Sequence, residues 1–312
     1  MNAMLNHPTG NVRASLFTLL IAVQVFALSG CNQQPGGSDL KLNNEFFDDA
    51  LWHDGKAEVS LYDATEVRYG KPRKAEEATL IVVKEDHRSR DFVKADNSIN
   101  AGLPALKLNW VVDVPTGIYT YRQMASVFLD RRTGLPFRET FASHEWCGST
   151  FKDLKQVTRT TASTFNYAWT SYFGSEGKGS KTVRAIGDAL WSDALPVTLR
   201  GLPFGGEKKN WNAEVLPTLW ANKAQPDKMK PAKVTVNIAN KESINVPAGE
   251  FEVWRVEVNY SAESQEVYYI ETKPPHRLIQ MHRADGAEYK LRKTMRIDYW
   301  NHHDPGDESL RD

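Results

Sequence analysis

The sequence predicts a mainly β fold: a large antiparallel meander forming a closed or half-open barrel or curved sheet. A short N-terminal helix and an inserted helical cap complete it. Three observations lead there. Apolar residues alternate with polar ones in several segments, the signature of strands with one buried and one wet face. Turn residues separate those segments at short intervals, so strands follow one another without intervening helices. Roughly ten or more such strands curl until they close or nearly close.

Residues 42–51 suit a short helix, ended by Asp54-Gly55. Thr116-Gly117 and Thr133-Gly134 mark turns between strands. Phe165, Tyr167, Trp169 and Phe173 recur at even spacing, placing them on one face of a strand, with Tyr172 on the other. Residues 182–194, bounded by Pro196, suit a short helix, and an insertion at about 182–231 contains several Pro, Gly and Lys. Val234, Val236 and Ile238 alternate with Thr235 and Asn237. Asn245-Val246-Pro247-Ala248-Gly249 is a turn with Pro early and Gly late. Trp254, Val256, Val258 and Tyr260 share a face. Asp285-Gly286 reads as a tight hairpin. After it Tyr289, Leu291, Met295, Ile297 and Tyr299 share a face, with Lys293 the exception.

The N-terminus carries a different signal. Arg13 precedes an apolar run from Leu16 to Leu28, too short for a confident membrane span, which needs roughly 20 apolar residues. Leu28-Ser29-Gly30-Cys31 then has the pattern of a lipoprotein signal peptide: small residues before a cysteine whose thiol can carry a diacylglycerol. Residues 1–30 are therefore expected to be removed. Cys31 becomes the lipidated N-terminus, and residues 31–40 form a polar tether to a β-rich domain at 41–300, followed by a polar tail at 301–312. Asn32 follows the cysteine where an aspartate would suggest inner-membrane retention. Likeness to known bacterial lipoproteins then implies the outer membrane, facing the periplasm.

Composition excludes some classes. The chain holds 39 basic and 39 acidic residues, and loss of 1–30 removes one Arg, leaving 38 against 39. No strong field remains to attract nucleic acid. Of two cysteines, acylation of Cys31 leaves Cys147 without a disulfide partner in the chain, so nine Trp, eleven Tyr and thirteen Phe must supply the core.

Few residues suggest chemistry. Ser143-His144-Glu145-Trp146-Cys147-Gly148 places an imidazole, a carboxylate and a thiol within four residues, as a cysteine nucleophile with its base would need. On a strand, however, His144 and Cys147 face opposite ways. The alternative is a small buried thiol beside a core tryptophan. The aromatic residues Phe165, Tyr167, Trp169 and Phe173 could line an apolar cavity or fill the core. Asn301-His302-His303-Asp304 lacks the spacing of a metal site, and Pro274-Pro275-His276-Arg277 reads as a rigid turn. No phosphate loop, serine elbow or zinc cysteine pair is present in the sequence, and no cofactor is expected.

Several phrases carry a resemblance: Leu51-Trp52-His53-Asp54-Gly55-Lys56-Ala57-Glu58, Arg68-Tyr69-Gly70, Thr116-Gly117-Ile118-Tyr119, Glu145-Trp146-Cys147-Gly148, Tyr172-Phe173 and Glu176-Gly177. With them the chain resembles a family of uncharacterised bacterial lipoproteins, some of whose members are labelled septum formation inhibitors. Val246-Pro247-Ala248-Gly249-Glu250-Phe251 and Tyr268-Tyr269-Ile270 are similar to a widespread envelope β-domain. That domain is similar in outline to lipoprotein carriers with a half-open barrel. The resemblance implies location and architecture, with no catalytic residues. The expected function is a non-enzymatic, membrane-anchored lipoprotein whose curved sheet binds an apolar ligand or an envelope protein. The alternatives are a thiol-dependent hydrolase or transferase using Cys147 with His144, and a structural or assembly factor.

Overall fold

The computed structural model describes residues 38–96, 102–220, 223–261 and 263–311. The signal peptide, Cys31 and most of the tether lie outside the described residues. Among the described residues sixteen strands follow one another. The first nine are β1 (Ala57–Arg68), β2 (Lys71–Lys74), β3 (Glu77–His87), β4 (Leu103–Pro115), β5 (Thr120–Asp130), β6 (Leu135–Glu145), β7 (Gly148–Thr158), β8 (Ala162–Ser171) and β9 (Lys178–Ile186). The rest are β10 (Ala189–Trp191), β11 (Asn210–Leu216), β12 (Ala232–Val246), β13 (Gly249–Ser261), β14 (Ser264–Glu271), β15 (Leu278–His282) and β16 (Glu288–Ile297). Short helices α1 (Asn44–Phe47) and α2 (Leu195–Thr198) complete the described elements, with several single 3-10 turns.

All strands belong to one sheet, ordered β10 to β16, then β1, then β3 to β9, with the short β2 paired to β1 alone. The first and last long strands, β1 and β16, therefore pair in the middle of the sheet. The pairing is antiparallel except between β10 and β11. The sheet nearly closes: across the gap between β9 and β11, the Ile186 amide donates to Glu214 Oε2 at 2.8 Å. This is the barrel-like antiparallel meander that alternation and turns predict.

The turns fall where the sequence puts them. Gly117, Gly134, Gly249 and Gly286 all take positive φ at hairpin connections. Val234, Val236, Ile238, Val256 and Val258 are buried, with Trp254 and Tyr260 partly buried against the same core.

Two segments depart from expectation. In β16 the expected common face splits. Tyr62 of β1 sits opposite Leu291, but Leu61 sits opposite Lys293, so Arg292 is an extra, bulged residue. A bulge inverts the alternation beyond it. Tyr289 and Leu291 face the main core, whereas Met295, Ile297 and Tyr299 pack outside with Ala57, Val59 and Leu61. The 182–194 segment is not a helix: Thr182–Ile186 completes β9, Gly187 turns the chain at φ +68°, and Ala189–Trp191 forms β10. The helical insertion is narrower, spanning residues 192–201, and Leu195 through Gly201 are buried.

That insertion fills the interior. Arg200, almost fully buried, donates to both carboxylate oxygens of Glu58, at 2.7 and 3.0 Å, and to the Pro275 carbonyl at 3.0 Å. Its guanidinium lies 5.0 Å from the Phe46 ring and 5.7 Å from the Trp52 ring. Phe47 beside it leaves no room for a Cβ at Gly201 or Gly134. The C-terminal tail lies back over the outer apolar patch. Arg311 pairs with Glu77 at 2.6 Å, and a cleft of about 510 Å³ separates the tail from Val59, Ile81, Met295 and Ile297.

Candidate functional site

The antiparallel order sends β1, β4, β6 and β8 in the same direction, so their C-terminal turns share one end of the sheet. Each of those turns presents an aromatic or large apolar side chain. Tyr69 and Gly70 connect β1 and β2, both at positive φ, the requirement of a two-residue type I′ turn. Asn or Gly meets that requirement without strain, yet a tyrosine occupies the position with its ring 64% exposed. Thr116-Gly117-Ile118-Tyr119 connects β4 and β5. The Thr116 amide and hydroxyl both donate to the Tyr119 carbonyl at 2.9 Å, and Ile118 is 84% exposed. Trp146 and Cys147 form the two-residue turn between Glu145 and Gly148, with Trp146 76% exposed. Tyr172, 66% exposed, opens the turn that leads to β9.

These tips touch one another. The Tyr69 and Tyr121 hydroxyls lie 2.6 Å apart, Tyr119 packs on Tyr121 at 5.5 Å between ring centroids, and Tyr119 reaches Trp146 at 6.1 Å. A Cβ on Gly148 would lie 2.3 Å from the Tyr172 ring, so glycine there lets Tyr172 lie over the neighbouring turn. Tyr172 in turn packs on Phe173 at 5.7 Å. Arg68 stacks 3.7 Å over Tyr121, and burial, with hydrogen bonds to Tyr69 and Tyr119, raises the Tyr121 phenol above its ordinary value. The result is a continuous aromatic rim. Its residues are far apart in sequence and gathered by topology.

Cys147 sits within this rim, exposed, so the expectation of a buried thiol beside a core tryptophan does not hold. The reason is the position: a two-residue turn has no interior face. His144 is held elsewhere, its Nδ1 2.7 Å from Ser149 Oγ on the paired strand. Glu145 accepts from the Cys147 amide at 2.7 Å, and its carboxylate raises the thiol above its ordinary value. A nucleophilic cysteine needs the opposite, a stabilised thiolate.

The aromatic residues expected to wall a cavity divide. Phe165 and Tyr167 are fully buried, Phe165 edge-on to Trp191 at 5.7 Å and Tyr167 stacked on Trp169 at 5.3 Å. Trp169 donates from Nε1 to the Glu176 carbonyl at 3.1 Å, and Phe173 lies outside the strand in the rim turn. Beneath the rim, Trp220 from the β11–β12 connection stacks on Trp110 at 4.8 Å and meets Phe141 at 5.5 Å. Lys152 faces inward and donates to the Leu219 carbonyl at 2.9 Å; burial holds its ammonium down to about 8. Glu139 is driven well above the carboxylate range by burial and by Asp193.

Of the four tips, the sequence pattern marks only Thr116-Gly117 as a turn and sets Tyr172 on a strand. The available signal was a bulky ring at turn after turn, where Gly, Asn or Asp suffices. Among the described residues no group of three His, Cys, Asp or Glu is gathered as a metal would require, and no helix is long and apolar enough to cross a membrane. No protein-family model, curated protein or solved structure matches the chain.

Proposed function

We propose that this protein is a lipid-anchored lipoprotein of the bacterial envelope, acylated at Cys31, seated at the outer membrane and facing the periplasm. Its role is non-enzymatic, and its contact surface is the aromatic rim. The observation that carries the reading is that four hairpin tips at one end expose Tyr69, Ile118, Trp146 and Tyr172 as one connected surface. Contiguous exposed apolar surface on a folded domain marks a place where something docks. An apolar ligand held inside the curved sheet is supported less, because the insertion, Phe165 and Tyr167 occupy inward-facing positions. A thiol reaction is supported least, given the raised Cys147 thiol and the hydrogen bond between His144 and Ser149. An assembly role would use the same rim.

Two experiments test this. Labelled palmitate fed to cells should enter the wild-type protein and not Cys31→Ser; equal incorporation removes the anchor. A photoreactive residue at Ile118 should give adducts in living cells, while one at Arg132, in a turn at the other end, should not. Identical behaviour at the two positions defeats the rim as the contact surface.

A further inference from the structure

The rim has a chemical bias beyond being apolar. The chain from Arg68 to Lys74 reads Arg-Tyr-Gly-Lys-Pro-Arg-Lys, four cations around one exposed tyrosine. Lys71 and Lys74 are exposed beside that turn, and Lys178 is exposed where the Tyr172 turn enters β9. Among the described residues none of these three lysines forms an ion pair with a carboxylate. Of the nearby acids, Asp113 is ion-paired, with Arg122 at 2.7 Å, whereas Glu145 and Glu176 accept backbone amides, from Cys147 and from Ala224 at 3.0 Å, and form no ion pair among the described residues. The rim therefore offers unpaired cations beside amphipathic rings.

Its form narrows the partner. The four side chains stand at the tips of four hairpin turns and are each more than half exposed. A protein hot spot is a well-packed central cluster surrounded by a water-excluding ring. Exposed Trp, Tyr and Ile at hairpin tips, flanked by lysines, match the amphipathic rings and snorkelling cations that seat a protein in a headgroup layer. A second apolar row lies one step down the outer face, where Met124 and Phe151 flank Ala142 in register and are both exposed. Between the two rows run Arg122, His144 and Ser149. The described chain enters at the opposite end, where Ser38 and Leu40 lie beside Thr133 and Leu135 of the β5–β6 turn.

We infer that the rim seats on an anionic lipid surface, with Trp146, Ile118 and Tyr172 entering the headgroup region and Lys71, Lys74 and Lys178 facing its phosphates. This rests on the rim being the contact surface and deepens it by assigning the partner. The first described residues, Ser38 to Leu40, lie at the end of the sheet opposite the rim.

The test uses the protein as cells make it, with its own N-terminus, seated in phosphatidylcholine vesicles. A second population of phosphatidylethanolamine and phosphatidylglycerol vesicles carries brominated chains, which quench tryptophan on contact. The wild type should be quenched, and Trp146→Phe should lose that component. Trp146→Ser with Tyr172→Ser should reduce vesicle clustering at least about tenfold, since interfacial rings and buried apolar area drive such binding. Lys71→Gln with Lys74→Gln should reduce it by about fivefold per cation, and only when phosphatidylglycerol is present. Melting temperatures report whether each variant stays folded, and the two lysine variants serve if the double aromatic one does not. Absence of quenching, or clustering unaffected by the ring and lysine variants, overturns the lipid surface. Ile118 adducts confined to a protein, without quenching, overturn it too while leaving the rim as the docking end.

Discussion

Trp146 and Trp220 lie at the same end of the same sheet and meet opposite fates. Trp220 turns inward, 5% exposed, onto Trp110 and Phe141; Trp146 turns outward, 76% exposed. The difference extends to the two halves of that end. The turn between β15 and β16 is built from Asp285-Gly286, and Ser261 and Glu263 border the one between β13 and β14. Asp285, Gly286 and Ser261 are residue types that turns favour for conformational reasons. The turns from β1, β4, β6 and β8 carry rings or Ile118 where nothing in hairpin chemistry asks for them. One half of the end shows what folding requires; the other shows what folding does not explain.

The contrast can be broken most forcefully in the interior. Arg200→Ala should destabilise the fold by about 3–5 kcal/mol in chemical denaturation, because Glu58 is left as a buried, unpaired charge. Pairing it with Glu58→Met should recover much of that loss. Trp220→Ala should cost about 3–5 kcal/mol, the range for removing a buried aromatic ring. Trp146→Ala should stay within about 0.5 kcal/mol of wild type, as for an exposed side chain away from special features. Comparable losses for the two tryptophans would mean the rim is structural.

Gly148→Ala sharpens the contrast without deleting a ring. The added methyl must displace Tyr172 from a residue at φ +154°, where a side chain is strained, so contact at the rim should weaken and the melting temperature should fall with it. Adducts from Ile118 at wild-type yield would show that the placement of Tyr172 is irrelevant.

The smallest expected effects depend on pH. Glu139 keeps its proton in the folded state above the ordinary value of 4.5, because of burial and then Asp193. Unfolding therefore releases a proton above pH 4.5, and this group's contribution makes stability fall as pH rises toward its folded value. Glu139→Gln should remove that slope, so its advantage over wild type should grow with pH. Glu85 has the opposite sign. Burial raises it, but His87, Lys107 and Lys94 outweigh burial and hold it at about 2. Its stabilisation is present above pH 4.5 and fades as pH falls toward 2, an effect Glu85→Gln should abolish in acid melts.

Much of the architecture was legible because alternation and turn chemistry are local. Val234, Val236 and Ile238 reach the core, and Gly117, Gly134, Gly249 and Gly286 turn hairpins as read. The misreadings share one cause: long-range pairing decided them. Arg292 bulges only because β1 fixes the register of β16, which sends Met295 and Ile297 outside. Residues 182–186 become strand by pairing with β8, against a helical local pattern. The rim was invisible for the same reason, since Tyr69, Ile118, Trp146 and Tyr172 become neighbours only when the sheet order is known.

The most direct test uses Cys147, an exposed thiol placed between Trp146 and Gly148 in the rim itself. Its alkylation rate by a small maleimide, compared at one pH between native envelopes and the purified protein in solution, reports whether the rim is covered where the protein works. The account predicts slower alkylation in the envelope, with the rate restored there by Trp146→Ser and Tyr172→Ser. Equal rates in the two settings would contradict it.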